Sequence, residues 1–462
     1  MTNLRIIKWV LMASFICTPF LAHAQLLKGK VVGVNPKSVT IVYSPNGDIM
    51  ENQYLERPVK DGAFEFDANM PAESTDVEVE VGNQVFGAHL VKGKTLEMVI
   101  ERKDNKFAAT YPNDKSGISP VVNRMANAYN IMHYFSMDGN DKRTYDDYRT
   151  LLDNEYASVK PLLKKIKDKK ERKYYTLLND KKFKDQAIRL LSEKAYNEKK
   201  KVSDYSEFNE LTKDEDINDD ICVASGLSLT KLIHMVTAEQ AFKGDMGPFC
   251  ENLMDLANKY VTNKKLHRSI VNTVGYHYFT FGDNSGDYRK FYDKFVTFAG
   301  NENVDIPKKY EQVIASWDKT KSGIPAPDIT LTDRDDKQIQ LSSLKGKFTY
   351  IDVWATWCGP CKKEIPFMEK MVEHFKGNDK VQFISISVDE NVKAWKDMIN
   401  KDNPQWAQYN VNKDTAKQFM GDWGISGIPR FIMIDKNGNI FSADASRPSE
   451  EKTTQTIEEQ IR

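Results

Sequence analysis

The sequence predicts a multidomain protein with an N-terminal all-β sandwich or barrel, an α-helical middle region and a C-terminal α/β domain. Three changes of pattern support this prediction. Apolar residues alternate with period two over residues 25–112, recur at helical spacing over residues 118–318, and lie in strands separated by single helices over residues 328–462. Residues 319–327 contain three turn-forming residues and are predicted to be a linker.

The β-rich region is recognised by strict alternation and by turn residues. In DVEVEV, the residues Val77, Val79 and Val81 alternate with acids, as expected for a half-buried strand. Asp61-Gly62 and Gly82-Asn83 supply turns between such segments. We therefore expect a small antiparallel sandwich or barrel.

The middle region has the spacing of amphipathic helices. The segment YYTLLNDKKFKDQAIRLLSEKAY is its clearest example, because its apolar residues fall close to one helical stripe while Lys and Asp occupy most other positions. The residues that we assign to this stripe are Leu177, Leu178, Phe183, Ile188, Leu191 and Ala195.

The last region alternates strands and helices. Single helices between strands predict parallel crossovers, and a late hairpin adds an antiparallel edge. In chain order we expect a hairpin around Asp335-Asp336, a buried strand in KFTYIDVWA, a helix from Gly359 to about Phe375, a strand in VQFISISVD, a helix in KAWKDMI, two strands across Asn437-Gly438 and a helix from Thr453 to Ile461.

Residues 1–24 predict a cleaved export signal. Arg5 and Lys8 precede an apolar stretch, and the cleavage pattern AHA stands directly before Gln25. The apolar stretch is shorter than the roughly 20 residues of a membrane-spanning helix, and Pro19 interrupts it. We therefore expect the protein in the periplasm or cell envelope.

The overall charge excludes some function classes. The chain has 66 basic and 66 acidic side chains among 462 residues. Such balance argues against a general binder of nucleic acid or of membrane surfaces. We predict no nucleic-acid partner, and the sequence leaves the oligomeric state open.

Two cysteines stand where a buried strand pattern changes to a helical one. At a helix N-terminus, unpaired N–H groups favour an anion, so Cys358 should ionise more easily than a free cysteine, whose pKa is about 8.5. We expect Cys358 to be exposed and to attack a target disulfide, and Cys361, one turn deeper, to resolve the mixed disulfide. The two would form a redox disulfide, and this chemistry needs no cofactor.

A zinc site or a buried structural pair is the alternative for these two thiols. Zinc would require two further ligands at a suitable spacing. The seven histidines show no such cluster, and Cys222 and Cys250 lie in another region. We therefore predict no metal.

Cys222 and Cys250 have three possible roles. They could form a structural disulfide, act as a second redox pair, or remain as unpaired buried thiols.

The segment WCGPC, Trp357 to Cys361, resembles the active site of thioredoxins. The hairpin that follows Pro327, the CKKEIP pattern, the segment from about Lys401 to Thr415 and DKNG are similar to the TlpA/ResA-like branch of exported thioredoxins, within the AhpC/TSA-thioredoxin superfamily. The resemblance extends over about residues 322–462 and implies a thioredoxin fold.

The resemblance also implies roles for individual residues. Asp352 matches the buried acid that transfers protons to and from the resolving thiol, although it could be only a hydrogen-bonded buried acid. Glu364 matches a glutamate thought to tune the thiols, although it could equally be a surface acid. Pro366 matches a proline that kinks the active-site helix, and Pro429 matches the cis-proline beside the disulfide. The residues expected to contact substrate are Trp357, Gly359, Pro360, Ile428 and Pro429.

These observations favour an exported thiol-disulfide oxidoreductase that reduces protein disulfides and is recharged by a membrane electron donor of the thioredoxin-recycling type. Gly359-Pro360 resembles the reducing members of the family. Substrates could include apocytochrome c, which would imply cytochrome c maturation, another exported protein or a small thiol. The alternatives are a thiol peroxidase of the same superfamily and a partner-binding protein with an accessory thioredoxin domain.

Overall fold

The computed structural model describes residues 25–45, 48–68, 72–104, 106–129, 143–236, 246–282, 287–425 and 427–462. The predicted export signal, residues 1–24, lies outside these ranges. The chain divides into two compact units, Met1–Lys231 and Leu232–Arg462. Each unit contains part of the helical middle region, and the predicted domain limits stay a prediction.

Two four-stranded sheets form the beginning of the first unit, with the strand orders β4-β1-β7-β8 and β3-β2-β5-β6. Strands β1 and β7 pair in parallel, and the other recorded pairs within these two sheets are antiparallel. The strands are β1 (Gln25–Val32), β2 (Ser38–Tyr43), β3 (Gln53–Pro58), β4 (Ala63–Asp67), β5 (Ser74–Val81), β6 (Gln84–Val91), β7 (Lys94–Lys103) and β8 (Lys106–Thr110).

The alternating residues of both sheets meet in one hydrophobic core. Leu27 and Phe64 from one sheet and Ile41 and Val79 from the other belong to the same buried cluster. Gly82 adopts a positive φ of 60° in the turn between β5 and β6, a conformation that glycine reaches without strain. The predicted β-sandwich is confirmed, but the expectation that it is antiparallel is wrong for the pair β1 and β7.

Helices follow the sandwich in the first unit. They are α1 (Ser119–Ala128), α2 (Tyr145–Leu163), α3 (Lys169–Asn197), α4 (Ser206–Thr212), α5 (Asp220–Ser225) and α6 (Leu227–Val236), the last of which crosses into the second unit. Asp168 caps α3 by accepting hydrogen bonds from the N–H groups of Lys170 and Glu171, at 2.8 and 2.9 Å. Leu178, Ile188, Leu191 and Ala195 are buried as predicted.

One residue of the predicted stripe on α3 lies elsewhere. Leu177 is 37% exposed. It precedes Leu178 by one position, which turns its side chain about 100° around the helix and away from the buried face.

The second unit continues with helices α7 (Met246–Tyr260), α8 (Lys264–Phe281), α9 (Tyr288–Ala299), α10 (Asp305–Lys308) and α11 (Glu311–Lys319). Aromatic rings hold α8, α9 and α11 together. Tyr278 stacks on Phe291 with ring centroids 3.5 Å apart, and Trp317 lies edge-on to Tyr278 at 6.0 Å. The predicted helical middle region is confirmed.

The rest of the second unit is an α/β domain with a seven-stranded sheet, ordered β10-β9-β13-β12-β11-β14-β15. Strand β11 pairs in parallel with β12, β12 in parallel with β13, and β14 antiparallel with β11. The elements are β9 (Thr330–Asp333), β10 (Gln338–Gln340), β11 (Phe348–Trp354), α12 (Gly359–His374), β12 (Val381–Ser387), α13 (Val392–Asp402), β13 (Ala407–Asn410), α14 (Lys413–Asp422), β14 (Arg430–Ile434), β15 (Ile440–Ser442) and α15 (Glu451–Ile461).

This sheet places three loops at one edge. Because β11, β12 and β13 run in parallel, their carboxyl ends meet, and the loops that follow Trp354, Ser387 and Asn410 lie together there. Every residue of β11 is buried, so the strand is fixed within the sheet. The loop after Trp354 leads into α12 and carries the paired cysteines.

No helix in the described part of the chain has the length and apolar character to cross a bilayer.

A close contact between α1 and β6 gives a stability prediction. A Cβ atom at Gly87 would lie 2.8 Å from backbone atoms of Val122 and Asn123. Gly87→Ala should therefore force α1 off the sheet and lower the free energy of unfolding by about 1–3 kcal/mol. Denaturant titrations followed by circular dichroism measure this. Gly421→Ala is the control, because a Cβ there meets open space. Equal losses in both variants would contradict the predicted contact.

Candidate active site

Cys358 and Cys361 form a disulfide at the start of α12, with their Cα atoms 5.3 Å apart. Cys358 is the N-cap residue of the helix, and the N–H of Cys361 donates a hydrogen bond to the Cys358 sulfur at 3.1 Å. This N–H belongs to the first helical turn, where it has no partner within the helix, and it points at the Cys358 sulfur instead. The same contact would stabilise a thiolate there after reduction.

Both cysteines of the disulfide are buried, although only Cys361 was expected to lie deeper in the protein. Cys358 is 5% exposed and Cys361 is 3% exposed, so the expectation of an exposed Cys358 is wrong for this disulfide form. The cause is a neighbouring loop, since the Cys358 sulfur lies 3.8 Å from the carbonyl oxygen of Ile428. Both cysteines also belong to the main hydrophobic cluster of the α/β domain.

The residues around the disulfide differ in exposure. Trp357 is 69% exposed, and a Cβ at Gly359 would meet open space. Pro360 lies in the first turn of α12, where its missing N–H costs no hydrogen bond. The surface beside Cys358 is therefore open on the helix side.

A second loop covers the other side of the disulfide. The peptide bond between Ile428 and Pro429 is cis. Ile428 packs against the same hydrophobic cluster as the cysteines. The predicted substrate-contacting residues of the two loops are thus brought together, because the Ile428 carbonyl lies against Cys358. Pro366 lies inside α12 as expected.

Asp352 lies in the middle of β11 and is 7% exposed. The pKa of its carboxyl is raised to about 7: burial is the main cause, a hydrogen bond from Ser385 opposes it, and the charge of Glu364 adds to the increase. The Ser385 hydroxyl donates to Asp352 Oδ2 at 2.9 Å and accepts from Trp406 Nε1 at 2.8 Å. Asp352 can therefore take up and release a proton near neutral pH.

Glu364 is also buried, at 8% exposure, although it lies on a helix with a solvent-facing side. Its two carboxylate oxygens accept hydrogen bonds from the N–H and the hydroxyl of Ser449, each at 3.1 Å. Arg447 Nη1 lies 3.7 Å from Oε1. The structure thus places Glu364 as a buried acid that the segment before α15 holds, and its charge acts on Asp352.

A cavity reaches Asp352 from the protein surface. Asp352, Ser385 and Trp406 line it together with the exposed residues Glu369 and Asp402. The cavity therefore connects the Asp352 carboxyl group with side chains at the surface, which would let a proton exchange with solvent.

Among the described residues, the two other cysteines, Cys222 and Cys250, are free and buried. Burial, followed by the nearby Glu215, raises the pKa of Cys222 to about 12. Burial likewise raises the pKa of Cys250. The Cys222 thiol donates to Glu215 Oε2 at 3.3 Å. Of the three possible roles, the structure therefore contains the unpaired buried thiols.

Several residues at the site were not predicted from the sequence. Ser385 contacts Asp352, Ser449 and Arg447 contact Glu364, and Asp389 contacts the loop before Cys358. One signal was available, since VQFISISVD places serines at alternate positions of a predicted buried strand. Buried hydroxyl groups need partners, and a buried acid on the adjacent strand is one.

Comparisons with known proteins agree with this geometry. The family model described as Redoxin matches residues 321–461. The thiol-disulfide oxidoreductase ResA of Bacillus thuringiensis (strain Al Hakam) is 32% identical over 131 residues, which cover 28% of this chain and 73% of that protein. The protein of the same name from Bacillus subtilis is also 32% identical over 131 residues, covering 28% of this chain and 71% of its own.

A solved structure is similar over the same region. The thioredoxin domain of a thiol-disulfide oxidoreductase from Bacteroides vulgatus is 29% identical, with a TM-score of 0.29, and the alignment covers 31% of this chain and 99% of that one.

The raised pKa of Asp352 predicts a pH-dependent stability difference. The folded-state pKa of about 7 lies above the ordinary value of 3.8, so between these values the folded protein keeps a proton that the unfolded chain has lost. The contribution of Asp352 to stability should fall as pH rises through this window, so the stability of the wild type relative to Asp352→Asn should fall as well. The difference should reach at most about 4 kcal/mol at pH 8, because each pKa unit corresponds to about 1.4 kcal/mol.

Chemical denaturation of the oxidised protein at pH 4 and at pH 8 measures this difference. Asp379→Asn, a change of an exposed acid, is the control. A stability gain of Asp352→Asn that is the same at both pH values would contradict the assignment of a proton to Asp352.

Proposed function

The chain belongs to the ResA-like thiol-disulfide oxidoreductases through its C-terminal Redoxin domain, and on this premise we propose that it is an exported enzyme that reduces disulfide bonds of proteins. One observation carries the proposal: the Cys358 sulfur accepts the N–H of Cys361 at the start of α12. A thiolate at this position would be stabilised before it meets a substrate.

In the first step, the reduced protein attacks the disulfide bond of its substrate. The Cys358 thiolate forms a bond with one sulfur of the substrate disulfide, the substrate S–S bond breaks, and its other sulfur leaves as a thiolate that takes a proton. Exposed Trp357 and the open surface at Gly359 would contact the substrate chain. The carbonyl of Ile428, beside Cys358, would accept a backbone N–H of the substrate.

In the second step, the mixed disulfide is resolved. Asp352 accepts the proton of the Cys361 thiol, and the resulting thiolate attacks the Cys358 sulfur. The substrate leaves with its second sulfur reduced, and the Cys358–Cys361 disulfide remains. A pKa near 7 suits Asp352 to this role, and the cavity beside it gives the proton a route to solvent.

The exchange moves two electrons from the protein to its substrate, so the Cys358–Cys361 disulfide must be reduced again. We propose a membrane-bound dithiol of the thioredoxin-recycling type as the electron donor. Its two thiols would be oxidised in the same two exchange steps run in reverse. The predicted export signal in residues 1–24 supports a place for this protein in the periplasm or cell envelope, where it would meet such a donor.

Substitution of the cysteines tests the function. Cys358→Ser should reduce turnover in an insulin-reduction assay to the uncatalysed rate, because it removes the attacking sulfur. Cys361→Ser should instead accumulate mixed disulfides with substrate, because the attacking thiol remains and the resolving thiol is gone. Non-reducing gels and mass spectrometry detect these adducts.

Cys222→Ser is the matched control, since that thiol is buried and has a raised pKa. Insulin reduction by Cys358→Ser at the wild-type rate would refute the proposed function.

A change at Glu364 tests the proton acceptor. The charge of Glu364 is one cause of the raised pKa of Asp352. Glu364→Gln should lower that pKa, so that Asp352 is ionised, and able to accept the Cys361 proton, at a lower pH. The pH profile of mixed-disulfide resolution in stopped-flow experiments should shift to lower pH. Glu373→Gln, an exposed acid of the same helix paired with Lys376, is the control. A shift of the pH profile to higher pH would contradict the predicted effect of Glu364 on the pKa of Asp352.

A further inference from the structure

A third buried acid lies beside the disulfide loop and has no part in the proposed exchange. Asp389 follows the end of β12 and is 2% exposed. Burying a carboxylate is costly unless donors surround it. Its surroundings therefore indicate what the residue does.

The donors of Asp389 come mainly from the loop that leads to Cys358. The N–H of Thr356 donates to Oδ2 at 2.9 Å, and its hydroxyl donates to Oδ1 at 2.7 Å. The Ser387 hydroxyl also donates to Oδ2, at 2.8 Å. Asp389 therefore holds Thr356 through both carboxylate oxygens, two residues before the cysteine.

The end of β13 also holds the segment that contains Asp389. The amide of Asn410, at the end of β13, donates to the carbonyl oxygens of Ser387 and Asp389 at 3.1 and 3.2 Å. The N–H of Val388 donates to the Trp354 carbonyl at 3.0 Å, where β11 ends. The loops after β11, β12 and β13 are thus joined into one hydrogen-bonded group.

The loop that Asp389 holds through Thr356 ends at Cys358. The N–H of Cys358 donates to the Ala355 carbonyl at 3.0 Å, which closes a turn around Thr356. The sulfur then accepts from Cys361 N–H on the helix. Movement of Thr356 would move Cys358 relative to the helix end, and hydrogen bonds weaken steeply with distance and angle.

We propose that Asp389 is a positioning residue: by clamping Thr356, it keeps the Cys358 sulfur in hydrogen-bonding contact with the first turn of α12. This inference rests on the proposed function, in which Cys358 is the attacking thiol. Asn410 supports the clamp from β13.

Two roles for Asp389 predict opposite effects on the Cys358 thiol. If position matters, loss of the clamp weakens the Cys361 N–H contact and raises the pKa of the thiol. If only the negative charge of Asp389 matters, its removal relieves repulsion of the thiolate and lowers that pKa. Asp389→Ala removes both the clamp and the charge. Asp389→Asn removes the charge and keeps an oxygen for the Thr356 N–H.

The experiment measures alkylation of Cys358 by iodoacetamide from pH 5 to pH 9. A Cys361→Ser background keeps the N–H of residue 361 and leaves Cys358 as the only thiol of the pair, and peptide mass spectrometry assigns the modified cysteine. We expect Asp389→Ala to slow alkylation at low pH about tenfold, because about ten times less thiolate is present when the pKa rises by one unit. Asp389→Asn should not slow it. Asp397→Ala, which removes an exposed acid of α13, should match the parent protein.

Insulin reduction is measured in parallel with both cysteines present. Failure of the wild-type protein to reduce insulin would refute the proposed function. A wild-type protein that is active, with Asp389→Ala unchanged or faster in alkylation, would overturn the positioning role alone.

A second pair of variants applies if Asp389→Ala does not fold. Thr356 is only half-buried, so changes there should be tolerated. Thr356→Val removes the hydroxyl donor to Asp389, whereas Thr356→Ser keeps it. Slower alkylation in the valine variant than in the serine variant supports the clamp, and equal rates overturn it.

Discussion

The chemistry that we propose for this protein depends on one hydrogen bond, from the N–H of Cys361 to the sulfur of Cys358. It exists only because four residues, the last of them Cys358, separate the end of β11 from the start of α12, so that Cys358 becomes the N-cap residue of the helix. A helix start leaves N–H groups unpaired, and a sulfur placed there can replace water as their acceptor. The seven-stranded sheet and its buried central strand serve to keep that junction in place.

Much of this junction is predictable from the sequence, because it is local. The apolar run before WCGPC and the helical pattern after it fix the strand, the turn and the helix. The cis bond at Pro429 and the burial of Asp352 also agree with the positions that the family resemblance implied. The covered Cys358 was not predictable, since the Ile428 carbonyl reaches it from 70 residues further along the chain.

Strand β13 and the surroundings of Glu364 were not predicted from the sequence, and the cause is the same for both. Strand β13 has only four residues, and the buried ones are Gln408 and Asn410, so the apolar alternation that identifies strands is reversed. The sequence does not decide whether Glu364 tunes the thiols or is an ordinary surface acid, because Ser449, which holds it, lies 85 residues away. Polar contacts between residues far apart in the chain leave no periodic pattern in the sequence, whereas packing against a sheet does.

The site contains three buried acids, and the number of donors around each one fits a different task. Among the described residues, the side chain of Asp352 accepts a hydrogen bond from Ser385 alone, so burial outweighs bonding and its pKa rises to about 7. Glu364 accepts two hydrogen bonds from Ser449 and has Arg447 nearby, and Asp389 accepts three. With a single donor, Asp352 keeps the raised pKa that burial gives it, and this suits a group that takes up and releases a proton. Asp389 instead uses donors on both carboxylate oxygens to fix the position of Thr356.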